Sequence, residues 1–143
     1  MRISAKAEYA CIAMLELAAN YNAAQTVRVK AIHEAHGIPQ RFLVQILLQL
    51  KSAGLVVSLR GALGGYQLAR SPEKITLAQV INAIEREPAL RPTLVPLPAS
   101  PTVDAIHGVW QEVQAAEQRV LEKHSLADLV RRTQQGSALS YQI

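Results

Sequence analysis

Apolar residues recur at helical spacing over the first third of the chain and predict three helices. The first begins at Ser4, whose hydroxyl can cap it, and the second covers about residues 30–36, with Gly37 as its terminator. Pro39 opens the third helix, over about residues 39–53. Its expected core positions are Phe42, Leu43, Ile46, Leu47 and Leu50. Two helices joined by a few residues around Gly37 form the helix-turn-helix pattern.

The polarity pattern changes after the third helix, where a β-branched run predicts a strand over residues 55–59. A glycine-rich turn at residues 60–65 and a second strand at residues 66–69 complete a hairpin, with Arg60 near its tip. A helix-turn-helix followed by a hairpin with a basic tip predicts a winged helix. The expected fold class is therefore mainly α-helical with a small β-hairpin wing.

A proline-rich stretch separates the expected winged-helix domain, residues 1–87, from the rest of the chain. Thr76 and Gln79 predict a capping box at the start of a fourth helix inside that domain. Residues 88–101 then contain five of the seven prolines of the chain. Because proline cannot continue a helix, this stretch is expected to be an extended linker.

A long helix is expected at residues 102–124, with apolar residues at alternating three- and four-residue steps. These residues are Val103, Ile106, Trp110, Val113 and Val120. A helix of this length spans about 33 Å, more than one small domain can cover. Its partner is either its own domain or a second copy of the chain in a symmetric dimer, and we favour the dimer. Ser125 and Asp128 predict the cap of a short last helix, followed by a frayed tail at residues 135–143.

The composition is that of a folded protein, since half of the 143 residues are apolar and 18% are charged. No apolar run is long enough to span a bilayer, and the N-terminus lacks the apolar stretch of a signal peptide. We therefore expect a cytoplasmic protein with no membrane partner. Cys11 is the only cysteine, which excludes an intrachain disulfide and a cysteine-based metal site within one chain.

Positive charge is concentrated between residues 28 and 70, which contain six basic residues and one acidic residue. The segment therefore carries a net charge of +5, and the remaining 100 residues, with nine basic and ten acidic residues, carry −1. A local excess of this kind is expected of a surface that binds phosphates. Taken alone, the charge is explained equally well by an ordinary solvated surface.

Three stretches of the chain resemble the Rrf-two family of winged-helix transcriptional regulators. They are Met1-Arg-Ile-Ser-Ala-Lys-Ala-Glu-Tyr-Ala, Gly54-Leu-Val-Val-Ser-Leu-Arg-Gly and Gly64-Gly-Tyr-Gln-Leu. The similarity extends to about residue 87 and resumes around His107-Gly-Val-Trp110. The resemblance implies a homodimer joined by the long helix, a recognition helix in the major groove of DNA and a wing at the minor groove. It also implies a repressor that binds a pseudo-palindromic operator.

By position, the resemblance makes residues 39–53 the recognition helix. Its outward-facing N-terminal residues are Gln40, Arg41, Val44 and Gln45. Arg41 could contact guanine and Gln45 could contact adenine through paired hydrogen bonds. Val44 stands where some family members have an acid, so a different base preference is expected. The alternative for Gln40, Arg41 and Gln45 is an ordinary solvated helix surface.

The resemblance also assigns the wing, and two lysines are expected to contact phosphates rather than bases. Arg60 matches the arginine that the family inserts into the minor groove, and Lys30 and Lys51 are expected to contact phosphates. The candidate wing residues are Arg60, Gly61, Gly64, Gly65 and Tyr66. The glycines are explained by turn geometry better than by a nucleotide-binding loop, since no Gly-Lys-Ser/Thr follows them.

The chain departs from the iron–sulfur members of the family, which place three cysteines in the linker where this chain has none. We therefore expect neither a cluster nor another metal. The candidate sensing residues are Glu8, Cys11 and His107. A packing or hydrogen-bonding role is favoured for His107, ahead of a pH-responsive contact or a weak metal site with Glu8 of the partner subunit. A buried, inert thiol is favoured for Cys11 over a redox sensor.

These observations favour a sequence-specific, DNA-binding transcriptional regulator, and no catalytic motif points to an enzyme. The apolar linker residues Leu90, Leu94, Val95 and Leu97 suggest that a small molecule or a partner protein supplies the signal. The alternative is a protein-interaction module that kept the winged helix but lost specific DNA binding. The concentration of basic residues between positions 28 and 70 argues against that alternative.

Overall fold

The structure is a computed structural model that describes residues 3–23, 25–62, 64–85 and 97–142, with side chains up to residue 135. Helices and strands follow in the order α1 (Ala5–Ala19), α2 (Val29–His36), α3 (Gln40–Ser52), β1 (Val56–Leu59), β2 (Gly65–Leu68), α4 (Leu77–Ile84), α5 (Pro101–Lys123) and α6 (Leu126–Gln142). This order confirms a mainly helical winged helix-turn-helix with a long C-terminal helix. None of the described helices is both long enough and apolar enough to cross a membrane.

Helix α1 lies at the centre of the core and contacts α3, α4, α6 and β2. Its start is fixed as expected, because the Ser4 hydroxyl accepts a hydrogen bond from the amide of Ala7 at 3.1 Å. Its buried side is largely alanine, and small side chains allow neighbouring helices to approach closely. The two large buried side chains of α1, Met14 and Leu17, fill the space between those neighbours.

Helices α2 and α3 form the helix-turn-helix, and Gly37 ends α2 in the left-handed conformation with φ of 72°. The His33 ring nitrogen Nδ1 lies 2.7 Å from the carbonyl oxygen of Ile38 and joins the end of α2 to the turn. Pro39 stands just before α3, not within its first turn. The expected core position of Phe42 is wrong: its side chain is 40% exposed, because it lies at the edge of the buried side of α3, beside the Tyr9 ring.

The wing is an antiparallel hairpin in which β1 and β2 pair from Val56 opposite Leu68 to Leu59 opposite Gly65. A third segment, which the sequence pattern did not predict, pairs with the hairpin at Val27. The amide of Val27 donates to the Tyr66 carbonyl at 2.9 Å, and the amide of Tyr66 donates to the Val27 carbonyl at 2.8 Å. The hairpin is therefore attached to the segment that leads into α2.

Two backbone hydrogen bonds join the junction between α5 and α6 to the winged-helix core. The amide of Leu77 donates to the His124 carbonyl at 3.0 Å, and the amide of Leu126 donates to the Ile75 carbonyl at 2.9 Å. Helix α5 begins one residue earlier than expected, at Pro101, with the Ser100 hydroxyl as its cap. Most of the expected linker, residues 88–96, lies outside the described residues.

The expected short last helix and frayed tail are wrong, because α6 continues to Gln142. The predicted cap is present, because the Ser125 amide donates to the Asp128 carboxylate at 3.2 Å. This hydrogen bond holds the pKa of Asp128 below its usual value. Leu126 is fully buried and Val130 packs against the core. A helix anchored in this way continues through a single glycine, which costs only about 1 kcal/mol in a helix.

Candidate nucleic-acid interface

Helix α3 has a fully buried side and an exposed side. Leu43, Ile46, Leu47 and Leu50 are fully buried against α1 and its neighbours. The exposed side holds Gln40, Arg41, Val44, Gln45, Leu48 and Lys51. The four recognition-helix candidates chosen from the sequence therefore lie on one surface, away from the core. Leu48 extends this surface by one turn, and its spacing of four from Val44 is the signal that could have identified it.

The wing turn is held by an arginine that sequence reasoning counted only as charge. The Arg28 guanidinium donates to the carbonyl oxygens of Ala62 at 2.7 Å and Gly61 at 3.3 Å. Gly61 has φ of 95°, a conformation that favours glycine. Arg60 directly follows β1 and is exposed. Arg28 thus connects the start of α2 to the turn that presents Arg60.

Gly64, Gly65 and Tyr66 have structural roles in the wing. A Cβ at Gly64 would lie 2.7 Å from the carbonyl oxygens of both Leu59 and Gly61, which are backbone atoms that cannot move aside cheaply. A Cβ at Gly65 would lie 2.8 Å from the Val27 carbonyl oxygen. The Tyr66 side chain is half-buried against the core. The close approach of backbone segments therefore explains these glycines: the turn itself for Gly64 and the segment at Val27 for Gly65.

The basic residues of this face are accessible, although several have partners within the chain. Lys30 lies 3.8 Å from Glu34, and both side chains are mostly exposed. Lys51 donates to the Ser58 hydroxyl at 2.9 Å and so connects α3 to β1. The Arg41 guanidinium lies 4.9 Å from the centre of the Phe42 ring. These exposed interactions are weak in water, so phosphates or bases can replace them at small cost.

Comparison with known proteins identifies this architecture. A family profile described as Rrf2, iron-dependent transcriptional regulator, matches residues 3–132. The chain belongs to the Rrf2 family. A Mycobacterium tuberculosis protein named as an HTH-type transcriptional regulator is 42% identical over 131 residues, covering 90% of this chain and 81% of that protein. CymR of Bacillus subtilis, also an HTH-type transcriptional regulator, is 33% identical over 129 residues and 90% of this chain, and 89% of CymR is covered.

Solved structures of Rrf2-family regulators have the same fold. The structure of CymR, the global cysteine regulator of B. subtilis, matches 92% of this chain and 98% of its own with a TM-score of 0.79 and 31% identity. IscR of T. potens matches 93% of this chain and 88% of its own with a TM-score of 0.77 and 32% identity. This Rrf2-family chain is therefore a DNA-binding transcriptional regulator, as the sequence predicted.

We expect Arg28→Ala to weaken binding to the operator about fivefold, because the hydrogen bonds that hold the wing turn are lost. Fluorescence anisotropy titrations with a labelled operator measure the change. Arg28→Lys is the matched control, since it keeps the charge but lacks the planar guanidinium. This variant should lose most of the affinity that Arg28→Ala loses. Full affinity of Arg28→Lys would show that the charge alone matters and would contradict this role.

Two of the three candidate sensing residues, Glu8 and Cys11, interact electrostatically. Burial, together with the carboxylates of Glu8 and Glu85, raises the pKa of the half-buried Cys11 thiol from 9.0 to about 11. His107 is half-buried on α5. Among the described residues, no hydrogen bond connects His107 to Glu8 or Cys11.

We expect iodoacetamide to modify Cys11 slowly in the folded protein. The thiolate is the reactive form, and a pKa of about 11 instead of 9.0 lowers its fraction at pH 8 about 100-fold. Mass spectrometry over a time course at pH 8 measures the rate, with the urea-unfolded protein as the control. Equal rates in the folded and unfolded protein would contradict the shielded thiol.

The donor groups of this chain do not fit an iron–sulfur cluster, although the family profile is described as iron-dependent. Such clusters are held mainly by cysteine thiolates, and Cys11 is the only cysteine in the full sequence. Among residues 3–23, 25–62, 64–85 and 97–142, no three His, Cys, Asp or Glu side chains come together as a metal site.

Proposed function

We propose that this Rrf2-family regulator is a homodimeric repressor that binds a pseudo-palindromic operator. The observation that supports it most strongly is the apolar surface of α5. The large apolar side chains Ile106, Val109, Trp110, Val113 and Val120 are 39–54% exposed. No residue of α5 is buried within the chain, although the helix has 23 residues. A surface of this kind is expected to pack against another apolar surface.

A second copy of the chain is the occupant that fits best. Val103, Ile106, Trp110, Val113 and Val120 follow the alternating three- and four-residue steps of helices that pack in pairs. A helix-turn-helix usually needs two half-sites, about 34 Å apart, for useful specificity. Two α5 helices packed together would fix the distance between two copies of α3, so dimerisation and recognition of a palindrome are parts of one arrangement.

The signal is proposed to act without an iron–sulfur cluster, through a small molecule or a partner protein. The chain has a single cysteine, which supports a cluster-free mechanism. Of the apolar linker residues, Leu97 is 55% exposed, whereas Leu90, Leu94 and Val95 lie outside the described residues. Repression follows if the dimer covers a promoter, and release of the operator would be the response to the signal.

The salt dependence of operator binding tests the proposed binding of the operator by a dimer. A dimer that neutralises at least four phosphates should give a slope of about −4 or steeper in log K against log salt concentration. Lys51→Gln should make the slope less steep by about 2, one unit for each subunit. Operator binding that does not depend on salt would contradict the phosphate contacts of the dimer, and no binding to any duplex would favour the protein-interaction module.

A further inference from the structure

Two large apolar side chains occupy the middle of the surface that α3 presents to DNA. Val44 and Leu48 are 45% and 52% exposed and lie one helical turn apart. Successive residues of an α-helix are rotated by 100° about its axis. Arg41 and Gln45 therefore lie on one side of the apolar pair. Gln40 and Lys51 lie on its other side. Polar and basic side chains thus surround an apolar centre.

Neither Val44 nor Leu48 contributes to the hydrophobic core of the chain. Leu43, Ile46, Leu47 and Leu50 already fill the buried side of α3 with no exposed surface. Val44 and Leu48 point away from these residues, on the opposite side of the helix. Exposed large apolar side chains surrounded by polar ones are typical of binding surfaces.

DNA is the occupant that the surroundings favour. The apolar pair lies between Arg41 and Lys51 on the helix that belongs to the DNA-binding motif, whereas the apolar surface proposed for the partner chain lies on α5. Basic side chains beside it are complementary to phosphates. In the major groove, the apolar group that a base pair presents is the 5-methyl group of thymine.

We propose that Val44 and Leu48 contact thymine 5-methyl groups and so determine which bases the operator contains at those positions. The proposal rests on operator binding by α3. The two side chains are about 6 Å apart along the helix axis, so the methyl groups should lie within about two base pairs of each other. Residues 40–52 include no acid that could accept a hydrogen bond from the cytosine amino group. Methyl contact, not hydrogen bonding, then selects thymine at the centre of the recognition surface.

Replacing thymine by deoxyuridine tests this directly, because it removes the methyl group and leaves the base-pairing groups unchanged. An operator is first selected from a random duplex library with the full-length protein. Each thymine of one half-site is then replaced singly, and affinities are measured by anisotropy. We expect one or two positions at which binding weakens about fourfold, the value for one buried methyl group.

Variants assign each position to a side chain. Val44→Ala should bind thymine and deoxyuridine equally well at one sensitive position, and Leu48→Ala should do so at the other. Val57→Ala, which truncates a valine of β1 with 43% exposure, should keep both sensitivities. Selection of no operator would overturn the proposed operator binding and this inference with it. A selected operator that is insensitive to deoxyuridine, or sensitivity that persists in both α3 variants, would overturn this inference alone.

Discussion

Trp110→Asp is expected to convert the proposed dimer into monomers and to weaken operator binding about 100-fold or more. Trp110 is 48% exposed in the single chain and lies in the apolar surface of α5. A carboxylate at this place would be buried without a partner in the dimer, which costs several kcal/mol. A monomer also loses the gain in affinity that comes from binding two half-sites at once, a factor of at least about 100.

Sedimentation velocity and anisotropy measure the two effects. Ala115→Asp is the matched control, because Ala115 is exposed on the opposite side of α5 and receives the same charge. This control should remain a dimer and bind normally. The fold of Trp110→Asp should be intact, since α5 contributes no buried residue to the chain. A Trp110→Asp protein that stays dimeric would contradict the assignment of this surface.

Arg60→Ala is expected to weaken specific binding by about 1–3 kcal/mol, which is about 5- to 150-fold. Arg60 is exposed directly after β1, where the turn held by Arg28 projects it from the wing. A narrow A·T-rich minor groove concentrates negative potential and attracts an inserted arginine. The loss should therefore be largest for operators with A·T tracts beside the half-sites.

The control for Arg60→Ala is Arg70→Ala, which removes the same charge from an exposed position after β2, at the base of the hairpin. Anisotropy titrations at one fixed salt concentration compare the two variants. We expect Arg70→Ala to lose much less affinity than Arg60→Ala. Equal losses would mean that the wing contributes only general charge, and unchanged affinity of Arg60→Ala would remove this residue from the site.

The features that the sequence predicted correctly depend on residues close together in the chain. The caps at Ser4 and at Thr76 with Gln79 each involve side chains within four residues. Gly37 ends α2 through its own backbone conformation. The order of helices and strands follows from the same local patterns, and it was enough to predict the winged helix.

The features that were missed depend on contacts between distant residues. Arg28 bonds to carbonyls more than 30 positions later in the chain, and Val27 pairs with Tyr66. The exposure of Phe42 depends on which neighbours cover α3, and the length of α6 depends on the anchoring of Leu126 in the core. Local spacing in the sequence does not determine such contacts. The contacts that support the wing and the length of the last helix could therefore be seen only in the structure.

Native mass spectrometry of the protein with its selected operator tests the central claim most directly. The protein is purified without oxygen, added metal or chelator, and is mixed with the duplex at a low salt concentration. We predict one complex whose mass equals two bare chains and one duplex. One chain per duplex would contradict the dimer, and extra mass equal to an iron–sulfur cluster would contradict the cluster-free regulator.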